Sequence, residues 1–161
     1  MKYIITENQY EILKEQTEEV LKLPSIDYFG GWDEMQSYIE RKGNPSYSID
    51  GNLYLGNTPI KSLGNLTSVG GYLDLSNTSV ESLGNLNSVG GYLDLRNTSV
   101  ESLGNLTSVG GDLDLRNTSV ESLGNLTSVG GYLDLRNILA FKKYSIKEIE
   151  KMVNVEGKIF I

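Results

Sequence analysis

Three consecutive twenty-residue segments of this chain read almost identically: NLTSVGGYLDLSNTSVESLG from Asn65, NLNSVGGYLDLRNTSVESLG from Asn85 and NLTSVGGDLDLRNTSVESLG from Asn105. The units 81–100 and 101–120 differ only at Asn87/Thr107 and Tyr92/Asp112. A short unit of this kind cannot bury an apolar face alone, so neighbours must stack and share one core. Six apolar positions recur per unit, in one copy Val80, Leu83, Leu86, Val89, Leu93 and Leu95. Their burial does not by itself offset the entropy of ordering twenty backbones, so hydrogen bonds between coils are required.

The segment Tyr92-Leu93-Asp94-Leu95 alternates with period two, which predicts a short strand with both leucines inward. Gly90 and Gly91 before it and Asn97 after it mark changes of direction, and Gly84-Asn85 marks another turn. Little room is left for a helix, so the opposite side of each coil is expected to be tight turns or short extended pieces. The register runs beyond the obvious copies. Ile49, Gly51, Leu53 and Leu55 match Val69, Gly71, Leu73 and Leu75, and Val155, Gly157, Ile159 and Ile161 repeat the spacing after a 26-residue step. Six parallel strands follow.

Both ends carry helical patterns. Thr6 and Gln9 form a capping-box pattern with Ile5 and Tyr10 as its staple. Tyr10, Leu13, Thr17, Val20 and Leu21 keep helical spacing, and Pro24 stops the run, which predicts a helix over 7–22. A second is expected from about 34 to 42, capped by Asp33 and answered by Gln36, with Met35, Tyr38 and Ile39 as its apolar face. Tyr28, Phe29 and Trp32 lie upstream, and Gly43 and Pro45 end it. Near the other end, Ser145 and Glu148 form a capping box, with Ile146, Ile149 and Val153 on one face. These segments read as covers for the open ends of a solenoid, dividing the chain into an N-terminal helical cap (1–46), the solenoid (47–137) and a C-terminal cap (138–161).

The chain contains no histidine and no cysteine, which removes zinc fingers, thiol nucleophiles, histidine bases and disulfide frameworks. A net charge of −7 argues against broad phosphate-backbone binding. Residues 1–50 carry −5, 51–137 carry −4 and 138–161 carry +2, with the five lysines of the last segment scattered rather than clustered. The first residues lack the apolar core of a signal peptide and no run approaches a membrane span, so a cytoplasmic protein is expected. Sequons such as Asn105-Leu106-Thr107 are by-products of the repeat.

The run Leu93-x-Leu95-x-x-Thr98-x-Val100 resembles the leucine-rich-repeat core LxLxxNxL, with threonine in the asparagine slot. With its preceding Val-Gly-Gly it is similar to short leucine-rich repeats of bacterial and phage proteins, over residues 49–137 and more weakly over 155–161. The resemblance implies an α+β repeat solenoid: a leucine-rich-repeat-like, right-handed parallel β-solenoid with a helical N-terminal cap and a helix-plus-strand C-terminal cap. The coil is short and its asparagine stands one place early, so a three-sheet parallel β-helix is the alternative. In the leucine-rich-repeat register Thr58, Thr78, Thr98 and Thr118 point inward and bond the turn backbone; in a continued strand Asn57, Asn77, Asn97, Asn117 and Asn137 do so instead. The first register is the favoured one.

Outward positions of the strands should form three rows. One is Asn52, Tyr72, Tyr92, Asp112, Tyr132 and Lys158. The next is Tyr54, Asp74, Asp94, Asp114, Asp134 and Phe160, and the third is Gly56, Ser76, Arg96, Arg116 and Arg136. Stacked aspartates about 4.8 Å apart repel unless answered, and the arginines two residues on are placed to answer them. Such a lattice keeps an exposed sheet soluble. The same face, rich in tyrosine and arginine, also suits a partner protein. Its candidate residues are Tyr72, Asp74, Tyr92, Asp94, Arg96, Asp114, Arg116, Tyr132, Asp134 and Arg136.

The aspartates are chemically equivalent, so none is set apart as acid or base. The Gly-Gly-Tyr-Leu-Asp spacing also lacks the third glycine of the calcium-binding nonapeptide. No catalytic, cofactor or metal residue is therefore assigned. The expected function is non-catalytic protein binding through the strand face, with a protein partner and neither nucleic acid nor membrane. The alternatives are a structural, virion-associated spacer and an ice-binding threonine ladder.

Overall fold

The computed structural model describes residues 20–161. The helix expected over 7–22 lies outside them except for its last residues, and there the chain is extended. Leu21–Leu23 is strand β1, and it pairs in parallel with Tyr47–Ile49 (β2), Leu21 opposite Tyr47 and Leu23 opposite Ile49. Helical spacing at Leu21 loses to pairing, because the edge of β2 offers that backbone partners a free helix end lacks.

Each coil then supplies two short strands. Leu53–Tyr54 (β3), Leu73–Asp74 (β5), Leu93–Asp94 (β7), Leu113–Asp114 (β9), Leu133–Asp134 (β11) and Ile159–Phe160 (β13) stack into a six-stranded parallel sheet. This is the expected sheet, closed by the expected last strand. Leu66–Val69 (β4), Ser88–Val89 (β6), Ser108–Val109 (β8), Ser128–Val129 (β10) and Asn154–Val155 (β12) stack with β1 and β2 into a second, seven-stranded parallel sheet. The molecule is thus a parallel β-solenoid with two stacked sheets among the described residues. Turns or short extended pieces alone were expected on the second side, and the β-helix alternative asked for three sheets.

The core is the leucine and valine ladder. Leu93 and Leu95 and their equivalents in coils 73–75, 113–115 and 133–135 are fully buried, as are Val80, Leu83, Leu86 and Val89. The Gly-Gly pair lets coils approach along the backbone. A Cβ on Gly90, Gly110 or Gly130 would strike the carbonyl oxygen of the glycine one coil earlier. The tight contact is held by Gly110 N–H to Val89 O at 2.8 Å and Gly111 N–H to Gly91 O at 2.9 Å.

The turn after each strand of the six-stranded sheet settles which polar ladder faces inward. Asn57, Asn77, Asn97, Asn117 and Asn137 adopt φ of 55–65°, a region asparagine tolerates better than most residues. That kink swings their side chains outward. There the Nδ2 of Asn77, Asn97, Asn117 and Asn137 donates to the previous asparagine's Oδ1, for example Asn97 to Asn77 at 2.7 Å and Asn117 to Asn97 at 2.8 Å. The threonines point inward, as favoured. Thr78, Thr98 and Thr118 are buried and donate to the carbonyls of Leu75, Leu95 and Leu115 at 2.7, 2.8 and 2.8 Å.

Helix α1 spans Trp32–Arg41, starting earlier than expected, with Gly31 rather than Asp33 at its N-cap. Gly30 and Gly31, at φ of 89° and 152°, turn the chain into the helix at Trp32, which leaves Asp33 in the first turn facing the positive end of the dipole. Met35 and Ile39 bury in the common core. Tyr47 ties the helix to the first coil: it accepts from Gln36 Nε2 at 3.1 Å and donates to Leu63 O at 2.8 Å, and burial pushes its phenol up to about 12. Helix α2 is a single turn, Ile146–Ile149, with the expected capping box: Ser145 N–H donates to Glu148 at 2.8 Å. Ile149 and Val153 are buried, but Ile146 is exposed. A shared face over three positions needs two helical turns, and this helix has one.

Candidate functional site

The six-stranded sheet presents its rows in strict register. Tyr54, Asp74, Asp94, Asp114, Asp134 and Phe160 stand opposite one another across successive strands. With Leu93 and Leu95 inward, Asp94 must emerge on the other side, and each arginine two residues on follows it.

The aspartates leave the strand on the outer side yet are not open to water. Asp94, Asp114 and Asp134 are 2%, 6% and 9% exposed, because the arginines fold back over them. Arg96 Nε donates to both oxygens of Asp94, at 2.9 and 3.0 Å, and its backbone N–H donates to Oδ1 at 3.0 Å. The same Nε lies 3.4 Å from Asp114 Oδ2 in the next coil. Arg116 repeats the arrangement, with Nη2 2.6 Å from Asp114 Oδ2 and Nε 3.3 Å from Asp134 Oδ2. Arg136 closes the line on Asp134 at 2.6 Å. The result is an alternating ladder, Asp94–Arg96–Asp114–Arg116–Asp134–Arg136, in which each charge has neighbours of opposite sign.

The ladder shifts its members' proton affinities. Hydrogen bonding to Asp94 and Asp114 holds the Arg96 and Arg116 guanidinium groups above their ordinary range. For Asp134 burial pushes upward, but donation from the side chain and backbone of Arg136 outweighs it, and the carboxyl sits below its usual value. Tyr92 joins from the neighbouring row, its hydroxyl 3.3 Å from Asp114 Oδ2; burial first and the two nearby carboxylates second raise its phenol. Among the described residues no buried side-chain nitrogen or oxygen lacks a partner.

The ten candidate residues therefore fall into two groups. Asp94, Arg96, Asp114, Arg116, Asp134 and Arg136 are interlocked, with the arginine side chains 33–49% exposed. Asp74 stands at the ladder's end, where Ser76 replaces an arginine and donates to Asp74 Oδ1 from Oγ at 2.7 Å and from N–H at 2.9 Å. Tyr72 and Tyr132 are about half exposed, at 50% and 49%, and Tyr92 is half-buried against the ladder. Two aromatic neighbours lay outside the candidate set: Tyr54, 58% exposed, and Phe160, which packs edge-to-face on Tyr132 at 5.9 Å and lies 5.2 Å from the Arg136 guanidinium. Their signal was present in the rows, at the two ends of the aspartate row. The inward Thr78, Thr98 and Thr118 leave no hydroxyl ladder of those residues on the surface.

The two stacked sheets and the ladder define a class, a parallel β-solenoid with an ordered charged sheet on one side. No protein-family model matches the chain, and no curated protein or solved structure matches it. Among the described residues no helix is long and apolar enough to cross a membrane.

Proposed function

We propose that this chain is a non-catalytic module that binds a protein through the outward side of its six-stranded sheet. The observation that carries this reading is the fixed state of the arginines. Each is held by its own aspartate, and Arg96 and Arg116 also by the next, beside tyrosines that remain exposed. Residues already ordered lose less entropy on association, and tyrosine and arginine are the side chains that contribute most at interfaces. An enzyme is disfavoured by the same ladder, which engages the aspartates on both oxygens. In this reading the coils are of leucine-rich-repeat type with threonine in the asparagine slot, and the flanking segments at 1–46 and 138–161 act as caps.

A rival reading is a rigid structural spacer in a particle or filament, and the near-identity of coils 81–100 and 101–120 favours it. Capture from a lysate of the native cell separates the two. The wild type is run beside Tyr54→Ser/Tyr72→Ser/Tyr132→Ser, which leaves the ladder intact. A protein retained by the first and lost by the second, with both folded, is the expected outcome. Equal capture by both moves binding to the flanking segments or the other sheet, and co-purification with assembled particles regardless of the tyrosines supports the spacer.

A further inference from the structure

Asp112 interrupts the tyrosines at 72, 92 and 132, in a row that begins with Asn52 and ends with Lys158. The short side chain leaves unfilled the space a further ring would occupy, a notch of about 230 Å³. Tyr92 walls it on one side and Tyr132 with Phe160 on the other, two coils or about 9.6 Å apart along the stack. Asp114 and Asp134 also line it, with Arg136, whose guanidinium is committed to Asp134 at 2.6 Å, while Arg116 answers Asp114 at 2.6 Å.

The structural bond that Asp112 makes does not depend on its charge. Its Oδ1 accepts the Tyr132 N–H at 2.7 Å, a bond that links one coil to the next. At the equivalent place in the first coil Asn52 makes the same bond to Tyr72 N–H at 2.8 Å with a neutral amide. The link asks for an oxygen, not for a charge. Unlike Asp94, Asp114 and Asp134, Asp112 forms no ion pair among the described residues, and it adds a negative charge beside a row of carboxylates. An uncompensated carboxylate between aromatic side chains suits a cation, which gains a charge-assisted hydrogen bond and the attraction of the ring faces.

We propose that this notch receives the lysine or arginine side chain of a protein partner, with Asp112 as its counter-ion and Tyr92 and Tyr132 as its walls. The inference rests on the strand-face reading and names the chemistry that reading requires of the partner. The notch is smaller than ordinary small-molecule pockets of about 300–1,000 Å³, and it fits a single side-chain tip.

The test is an NMR titration of the isotope-labelled full chain with n-butylammonium and methylguanidinium, and with butanol and butyrate as neutral and anionic controls. Saturable shifts at Tyr92, Asp112 and Tyr132 with one or both cations, and with neither control, are expected in the millimolar range. Asp112→Asn, which keeps the Asn52-type hydrogen bond, should weaken binding at least fivefold. Asp112→Tyr, which restores the residue of the neighbouring coils, should abolish it. Both residues occupy this position elsewhere in the chain, so both variants should fold. Absence of saturable shifts, equal response to butanol, or unchanged affinity in Asp112→Asn overturns the cation site. If the cations fail while tyrosine-dependent capture persists, the notch falls and the strand-face reading stands. Cation binding without any such capture overturns the assignment to a protein partner.

Discussion

The two sheets share a period and a backbone geometry, yet their outer sides differ in kind. Outside the seven-stranded sheet the inner coils present Ser68, Ser88, Ser108 and Ser128, each followed by a valine and a glycine pair. Outside the six-stranded sheet the side chains are large and charged, and they change from coil to coil: tyrosine to aspartate at 112, serine to arginine between 76 and 96. The difference follows from distance. On the glycine side of the inner coils the backbones approach so closely that a Cβ on Gly90, Gly110 or Gly130 would strike a carbonyl, and another residue takes that place only at the two ends of the stack, at Asp50 and Glu156. Outside the six-stranded sheet the side chains project away from the close backbone contacts and meet mainly one another, so they are freer to differ.

Breaking the glycine side should therefore cost most. Gly110→Ala drives a methyl into the carbonyl of Gly90, and a loss of about 3 kcal/mol is expected in urea unfolding. A loss below about 0.5 kcal/mol would mean the coils can spread apart. Next comes the ladder. Asp114 receives Arg96, Arg116 and Tyr92, so Asp114→Asn should cost about 2 kcal/mol, less than a fully buried pair because the arginines are partly in water.

Acid should probe the ladder more gently. The Asp134 carboxyl is held below its usual value, so its contribution is complete above the unfolded pKa near about 3.9 and is lost as pH falls through the lower folded value. The thermal midpoint should hold down to about pH 4 and then decline, with part of that decline missing in Asp134→Asn. The smallest effect belongs to an exposed ring: Tyr72→Ser should change stability by less than about 0.5 kcal/mol, measured by the same unfolding.

Much of this was legible because a repeat displays its own register. Leu93 and Leu95 inward, the Asp–Arg rows, the last strand at Ile159 and the Ser145–Glu148 box all follow from spacing. The second sheet was not legible. Its strands are mostly two residues long, Ser-Val, and a period cannot be read from two residues; they exist because parallel stacking leaves N–H and C=O groups of successive coils opposite one another. Leu21 misled for a related reason, since helical spacing says nothing of an edge strand waiting at Tyr47. At the candidate site the composition of each row could be read, but not the burial of the aspartates. That depends on the arginine fold-back, a side-chain choice that spacing does not encode.

Removing one coil tests the whole account most directly. The chain lacking residues 101–120 joins Val100 to Glu121 in unbroken register. If each coil contacts only its neighbours through identical ladders, that chain should unfold in urea in one cooperative transition, with a smaller m-value and a nearly unchanged circular dichroism per residue. A broad, non-cooperative transition, or loss of the folded spectrum, would contradict the solenoid.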